Sequence, residues 1–567
     1  MNGFKLSDEQ FAAATSEKEH LLIIAPPGCG KTEVLAHRAV HQIDSLQPNQ
    51  KILALTFTKR ARANLEERLR SVLGQARARR KIVVRNFHGF ATQVVLAHGR
   101  TIGLCMDDLG MPKSGIMRKA IQAAGGSGPT MYDAERILSE IKREPLSDGK
   151  VLDAIQQRGQ SAAALLAWKV EQSRQEANQL HYDDLLRHAQ RLLRIPTVAR
   201  LYQAHFGAVL VDEFQDLSLQ QLDLAVLSCV ERRTFAGDPL QGIYSWAGAA
   251  PAEVEAEINI RCGDPIRLHE SYPSSPMVLE TVNSISKQVD PGSGLVAALP
   301  NKWPDRGCSA ALVVQNQETE AELVVQLVTE IHNTVPEASI GIIARAGWPR
   351  EHIDAAFADL TDIPVRRWEL AIDDPVTLSL IKSTVATLPR GASVADARVA
   401  VLDSLDPADV DAKELVADAF EILGQSEATT ARAAVRSIRT TDPKQAVGSG
   451  VHLLNAHTGK GQQFDWTFVI GLEEGHLPGR RNSCGDALDE ERRVLLVMLS
   501  RARHGLVVTR TQMREGWYGP QPVVESRWWS EIETRYSSEE EVQDHLESLK
   551  GNQLPNEHTD SVDSTAL

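Results

Sequence analysis

No apolar run in this chain approaches the roughly 20 residues that a membrane-crossing helix needs. The N-terminus, Met1-Asn2-Gly3-Phe4-Lys5-Leu6, lacks the basic-then-apolar pattern of a secretory leader. No membrane partner is therefore expected, and the expected location is the cytoplasm. Cysteine is scarce and scattered: Cys29, Cys105, Cys229, Cys262, Cys308 and Cys484 include no CxxC pair. That spacing argues against a disulfide framework, a zinc ribbon or an iron–sulfur cluster. After Arg527 no predicted strand carries the Asp, Glu and Lys spacing of a restriction-like nuclease. Positive charge is also in deficit, with a net charge of −14, which on its own would count against a nucleic-acid partner.

The distribution of charge matters more than its sum. Glu539, Glu540, Glu541, Asp544, Glu547, Glu557, Asp560 and Asp563 face only Lys550 after residue 536, so half of the net charge lies in the last segment. Residues 536–567 read as an acidic, disordered tail, with a short helix at Glu539 to Lys550 as the one structured option. Basic residues concentrate instead at Lys59, Arg60, Arg62, Arg68, Arg70, Arg77, Arg79, Arg80 and Lys81. A length of 567 residues, 42% hydrophobic and 24% charged, is ordinary globular usage and exceeds what one core serves, so several domains are expected.

Two motifs carry chemistry. The apolar run Leu21 to Ile24 enters Ala25-Pro26-Pro27-Gly28-Cys29-Gly30-Lys31-Thr32, a glycine-rich turn between a strand and a helix. Gly28 and Gly30 let backbone N–H groups curl around phosphate oxygens, Lys31 supplies a point charge for the β- and γ-phosphates, and the Thr32 hydroxyl suits Mg²⁺. Ala25 stands where the usual pattern has its first glycine. The second motif, Asp212-Glu213-Phe214-Gln215-Asp216, follows the β-rich run Ala208 to Val211. There a carboxylate at a strand tip, Asp212, holds Mg²⁺, and its neighbour Glu213 polarises the attacking water.

With these motifs the chain resembles the UvrD/Rep-type DNA helicases of superfamily one. Leu6-Ser7-Asp8-Glu9-Gln10 looks like the family's Q motif, which implies that Gln10 reads adenine. Thr56-Phe57-Thr58-Lys59-Arg60-Ala61 and Asn86-Phe87-His88-Gly89-Phe90 are similar to two segments that face single-stranded DNA in that family. His181-Tyr182-Asp183-Asp184-Leu185-Leu186 looks like its DFDDLL element. Gly237-Asp238-Pro239-Leu240-Gln241-Gly242-Ile243-Tyr244-Ser245-Trp246 follows its GDxxQSIYxW line, where Gln241 would sense the γ-phosphate and Tyr244 and Trp246, with Phe57, would stack on bases.

Later segments continue the resemblance. Leu268 to Tyr272 is similar to LxxNYR, with Tyr272 for adenine stacking, and Ala456 to Asp465 to TxHxxKGLEFD, with His457 for DNA and Gln463 for ribose. Gly471 to Pro478 resembles GxEEGxxP, and Glu490 to Ala502 resembles EEERRLxYVxxTRA, which makes Arg501 the candidate arginine finger. Ser526-Arg527-Trp528-Trp529 resembles the closing SRF element. Four positions depart from the pattern: Pro273 and Ala247 replace arginines, Glu33 replaces the arginine that often follows GKT, and Gln463 replaces a glutamate. Losing a charge-assisted phosphate contact removes transition-state stabilisation, so slow basal hydrolysis is one expectation. Arg267 is a candidate substitute for the charge absent at Pro273.

The resemblance implies an α/β fold of two RecA-like parallel-sheet motor lobes, each interrupted by a mainly helical insertion. The expected limits are 1–90 and 187–267 for the first lobe, 91–186 for its insertion, 268–375 and 446–535 for the second lobe, and 376–445 for a small second insertion. It further implies ATP and Mg²⁺ as cofactors, single-stranded or tailed duplex DNA as partner, and 3′-to-5′ movement. The compact size resembles the helicase subunits of anti-phage systems such as Gabija, which work beside a separate nuclease subunit, so roles in DNA repair and in anti-phage defence both stay open. The alternative is a nucleotide-binding, DNA-sensing subunit that signals to a partner nuclease and unwinds little.

Overall fold

The computed structural model describes residues 6–550 apart from 58, 113–119, 122, 127, 246–247, 347–349, 359, 361, 369, 372–374, 405–415, 417–419, 421–422, 424–429, 440–446, 481 and 517–518. The chain divides into two units, one of Met1–Ala25 with Gly30–Leu268, the other of Pro26–Cys29 with His269–Leu567. Each is built on a six-stranded sheet whose strands are all parallel. This is the mixed α/β, parallel-sheet architecture that the motifs imply. No helix among the described residues is long and apolar enough to cross a membrane.

In the first unit the strands are β1 (His20–Ile24), β2 (Lys51–Thr56), β3 (Ile82–Asn86), β4 (Phe206–Asp212), β5 (Arg233–Gly237) and β6 (Ile266–Arg267), ordered β3-β2-β4-β5-β1-β6. A parallel sheet is covered by helices on both faces, so its central strands read as unbroken apolar runs. All seven residues of β4 are buried. The register sets Ile24 beside Gly237 and Asp212 beside Ala236, so the turns after β1, β4 and β5 open at one edge. That carboxyl edge of a parallel sheet is where ligands are usually held.

Helices Phe87–His98 and Tyr182–Leu193 pack into this sheet's core through Phe90, Val94, Leu185 and Leu192. The helical segment between them builds its own cluster, from Ile121 to Val170. A buried charge network ties the two cores together. Lys142 Nζ lies 2.7 Å from Glu171 Oε2 and 3.0 Å from Asp184 Oδ2, and all three side chains are 0% exposed. Arg174 and Arg187 complete it, at 2.6 Å from Glu171 Oε1 and 2.8 Å from Asp184 Oδ1.

The second sheet runs Val365–Arg367, Gly450–Asn455, Ser339–Ala344, Phe464–Val469, Ala502–Thr511, Cys308–Val314. Helices Pro375–Thr387, Val394–Asp403 and Ala431–Ser437 hold a separate small cluster around Ile381, Val401 and Ala434. The last described element is the short helix that the sequence offered inside the acidic tail, and it is packed rather than free. Glu539–Leu549 is a helix that buries Val542, Leu546 and Leu549 in the second unit's core, and residues 551–567 lie outside the described residues. Its acids suit its start. Ser538 and Glu541 cap each other reciprocally, and Glu539, Glu540 and Glu541 meet the positive end of the helix.

One buried acid in this unit gives a pH-dependent expectation. Glu320 is 3% exposed and accepts a 2.6 Å hydrogen bond from the Thr509 hydroxyl. Burial, with the Glu473 charge nearby, pushes its carboxyl up to about 8. Because the folded value lies above the unfolded one, the stability held by the protonated form is complete below the ordinary carboxylate range and is lost as pH rises through about 8. Glu320→Gln, which keeps a neutral hydrogen-bonding group, is expected to raise the thermal midpoint at about pH 8.5 by several degrees and to leave it nearly unchanged at about pH 5. Thermal melts at the two pH values check this. An equal shift at both would contradict it.

Candidate functional site

The phosphate-loop geometry follows from its glycines. Gly28 and Gly30 hold φ of 80° and 74°, a left-handed region that side chains with a Cβ rarely enter. A Cβ at Gly30 would also meet Gln10 Nε2 at 2.5 Å. Gln10 thus packs over the loop while its Oε1 accepts from the Ser7 N–H at 3.1 Å, capping helix Asp8–Thr15. Helix Lys31–Ile43 begins directly after Gly30, so its unpaired N–H groups and positive end face whatever the loop holds. Ala25 and Pro26 are buried, as is Cys29, and Pro27 and Thr32 are half-buried.

Lys31 and the two acids after β4 form one cluster. Its ammonium donates to Asp212 Oδ1 at 2.5 Å and pairs with Glu213 Oε1. The side chains are 13%, 4% and 32% exposed for Lys31, Asp212 and Glu213. Burial works against a charged Lys31, but the Asp212 and Glu213 carboxylates outweigh it and hold the ammonium above its usual range. Burial raises the Asp212 carboxyl, and Lys31 only partly offsets it. Glu213 sits at φ 57°, a left-handed conformation that costs a non-glycine residue on the order of 1–3 kcal/mol and is concentrated at functional sites.

Sequence reasoning passed over Gln215. Fully buried, it donates from Nε2 to Glu213 Oε2 at 2.6 Å and accepts the Asp238 N–H on Oε1 at 3.0 Å. It therefore fixes the Glu213 carboxylate against the strand end that carries Asp238. Gln241, the γ-phosphate candidate, donates to Asp238 Oδ2 at 2.9 Å. Gln215 was visible inside Asp212–Asp216, but only the fold reveals that it bridges two motifs.

The base-facing candidates gather in the same unit. Phe57 and Tyr244 stack on each other, with ring centroids 5.8 Å apart at 26°. Burial, then the Asp216 and Glu213 charges, keep the Tyr244 phenol above its usual range and hence protonated. His88 leans on Tyr182 at 4.7 Å, and both line a cleft of about 490 Å³ with Arg62, Asn86 and Thr92. Burial pulls the His88 imidazole down to about 4. At neutral pH it therefore offers a hydrogen bond or a ring face, not a charge. Tyr182, 53% exposed, is a second aromatic that sequence reasoning left out of the site. Lys59 opens the helix Lys59–Leu73, whereas Thr58 and Trp246, with Ala247, lie outside the described residues.

Glu33, the departure after GKT, has a structural occupation: its carboxylate pairs with Arg68 and, at 2.9 Å, with His37. It joins the helices on either side of β2.

In the second unit, Arg501 is 2% exposed and follows helix Gly485–Leu499. Its guanidinium donates to the Val497 carbonyl at 2.7 Å, the Gln462 carbonyl at 3.2 Å and the Ser500 hydroxyl at 2.8 Å. Glu491, from the same motif, receives Arg345 in a fork at 2.7 to 3.0 Å. Tyr272, His457 and Gln463 are half-buried, His457 within the short helix Ala456–Gly459.

Asp212 and Thr32 offer a carboxylate and a hydroxyl, the hard oxygen donors that Mg²⁺ prefers, so these residues fit that ion. Comparison with known proteins agrees with this chemistry. Residues 6–259 match the UvrD/REP helicase N-terminal domain and residues 423–513 the UvrD-like helicase C-terminal domain. DNA helicase II of Escherichia coli (strain K12) is 24% identical over 620 residues, covering 90% of this chain and 85% of that protein. ATP-dependent DNA helicase UvrD1 of Mycobacterium tuberculosis (strain ATCC 25618 / H37Rv) is 24% identical over 661 residues, covering 93% and 85%. ATP-dependent DNA helicase PcrA of Leuconostoc citreum is 26% identical over 344 residues, 58% of this chain and 45% of that protein. Two domain models in the expected order, with relatives that are DNA helicases, identify the chain as a member of the UvrD/Rep family of ATP-dependent DNA helicases.

Proposed function

We propose that this chain hydrolyses ATP to move along single-stranded DNA in the 3′-to-5′ direction and to separate the strands of tailed duplexes. The observation that supports the reading is the joined set of Lys31, Asp212, Glu213 and Gln215, in which an ammonium contacts two carboxylates, one of them oriented by an amide. In this reading Thr32 and Asp212 hold Mg²⁺, which supplies charge neutralisation at the phosphates. Lys31 holds the β- and γ-phosphates, Glu213 takes a proton from the attacking water, and Gln241 reports the γ-phosphate. Gln10, Tyr272 and Gln463 are assigned to the nucleoside and Arg501 to the transferring phosphoryl group, on the strength of their motifs. Phe57, Thr58, Lys59, His88, Tyr244, Trp246 and His457 are assigned to DNA on the same ground. A role in DNA repair or in anti-phage defence beside a separate nuclease, in the cytoplasm, fits the compact domain set.

The test is ATP turnover with and without single-stranded DNA, followed by strand displacement from a 3′-tailed and a 5′-tailed duplex. Stimulation by DNA, displacement confined to the 3′-tailed substrate, and loss of both in Lys31→Ala are expected. Absence of DNA stimulation would overturn the motor reading. Turnover without displacement would favour the DNA-sensing subunit, for which Pro273 in place of an arginine is the motivating feature.

A further inference from the structure

The terminal helix Glu539–Leu549 brings His545 against the strand Ala502–Thr511 and the turn before Cys308–Val314. Three side chains from these elements converge. His504 Nε2 lies 2.8 Å from Asp305 Oδ2, and His545 Nε2 lies 3.5 Å from the same oxygen. One ligand atom from each residue falls within 4.8 Å of the other two. The histidine side chains are 2% and 5% exposed and the aspartate 16%.

Close approach has not produced directed hydrogen bonds. Among the described residues, Asp305 Oδ2, both ring nitrogens of His504, and His545 Nε2 have no hydrogen-bond partner of acceptable geometry. A buried polar atom left in that condition costs about 1–3 kcal/mol, so four in one place call for an explanation. Two imidazole nitrogens and a carboxylate oxygen brought this close together are a donor set that a metal ion can take up. Around a tetrahedral ion with bonds of about 2.0–2.1 Å, donor atoms stand roughly 3.3 Å apart, and the two separations observed here bracket that value.

The surroundings support the same reading. The Tyr536 hydroxyl lies 3.4 Å from His545 Nδ1, where accepting the Nδ1 proton directs the Nε2 lone pair toward Asp305. An outer partner of this kind is usual for a metal-bound imidazole. Trp303 and Trp466 flank the His504 ring, both with centroids at 5.5 Å, and wall the cluster with apolar surface.

We propose that Asp305, His504 and His545 form a site for a divalent transition metal of the zinc class, which clasps the terminal helix to the second sheet. Two imidazoles and one carboxylate suit Zn²⁺, Co²⁺ or Ni²⁺ rather than Mg²⁺ or Ca²⁺, which favour oxygen donors throughout. A fourth position falls to solvent. The site shares no residue with those assigned to the nucleotide and does not depend on the helicase reading.

The experiment uses the full chain, purified without a polyhistidine tag, with elemental analysis before and after chelator treatment. One equivalent of zinc is expected, with the thermal midpoint falling by about 5 °C or more on stripping and recovering on adding Zn²⁺ alone. Co²⁺ added to stripped protein is expected to give the intense visible absorption of a tetrahedral ion, weakened in His545→Gln and in Asp305→Asn. The proposal is overturned if the stripped wild-type chain melts as the untreated one does and binds neither Zn²⁺ nor Co²⁺ stoichiometrically. A Co²⁺ signal unaffected by both substitutions overturns it equally.

Discussion

In Glu213→Gln, DNA-stimulated ATP turnover is expected to fall by about 10²- to 10⁴-fold, the usual worth of a positioned general base, while the KM for ATP changes little. The separation of the two effects follows from geometry. In the proposed mechanism phosphate binding rests on the loop backbone and Lys31, whereas Glu213 stands beyond the strand end in a left-handed backbone conformation, with Gln215 fixing one carboxylate oxygen at 2.6 Å. An amide at position 213 keeps the volume and loses the basic oxygen. Removing only the orienting contact, in Gln215→Leu, is expected to cost less, on the order of tenfold. Steady-state turnover and fluorescent-nucleotide binding on the same preparations check both. A loss below tenfold in Glu213→Gln would move the base to another residue.

Lys142→Met is expected to destabilise the first unit by about 3–5 kcal/mol, as breaking one partner out of a buried ion network does. Glu171 and Asp184 would each lose a cation at 2.7 and 3.0 Å and stay buried. Burial alone would raise both carboxyls, but Lys142 and Arg174, joined at Asp184 by Arg187, hold Glu171 below and Asp184 well below the usual range. Folded values below unfolded ones mean stability that is present above the ordinary carboxylate range and lost as pH falls below it toward the depressed folded values. His181, pulled down to about 4 by burial and then by Lys142, adds a loss that begins earlier, as pH falls below about 6.5. Chemical denaturation near pH 7 and near pH 5 measures the effect. A change under about 1 kcal/mol would show that Arg174 and Arg187 alone satisfy the two carboxylates.

Legibility in the sequence tracked the range of the interactions concerned. The phosphate loop was readable because strand, glycines and helix are consecutive, and the acids after β4 because an unbroken apolar run precedes them. The parallel-sheet class was implied by the family resemblance that these motifs carry. Strand order was not readable, since it depends on pairings between segments far apart, such as His20 with Arg233. Gln215 was hidden for the same reason: its value lies in touching Asp238. The terminal helix was legible as a short helix, but its burial was not, because its acids dominate composition. Val542, Leu546 and Leu549, spaced four and three apart, do carry an apolar stripe. A lysine at position 142 reads as surface in any sequence and is here fully buried.

The pairing of Lys31 with Asp212 and Glu213 has a consequence for nucleotide affinity. On the proposed function, a polyphosphate arriving at the loop does not meet an idle cation, because the ammonium is already the counterion of two carboxylates. To engage it, the phosphates must draw it from that pairing and leave acids that need another positive partner. Affinity at such a site is the difference between two sets of ion pairs rather than the strength of one.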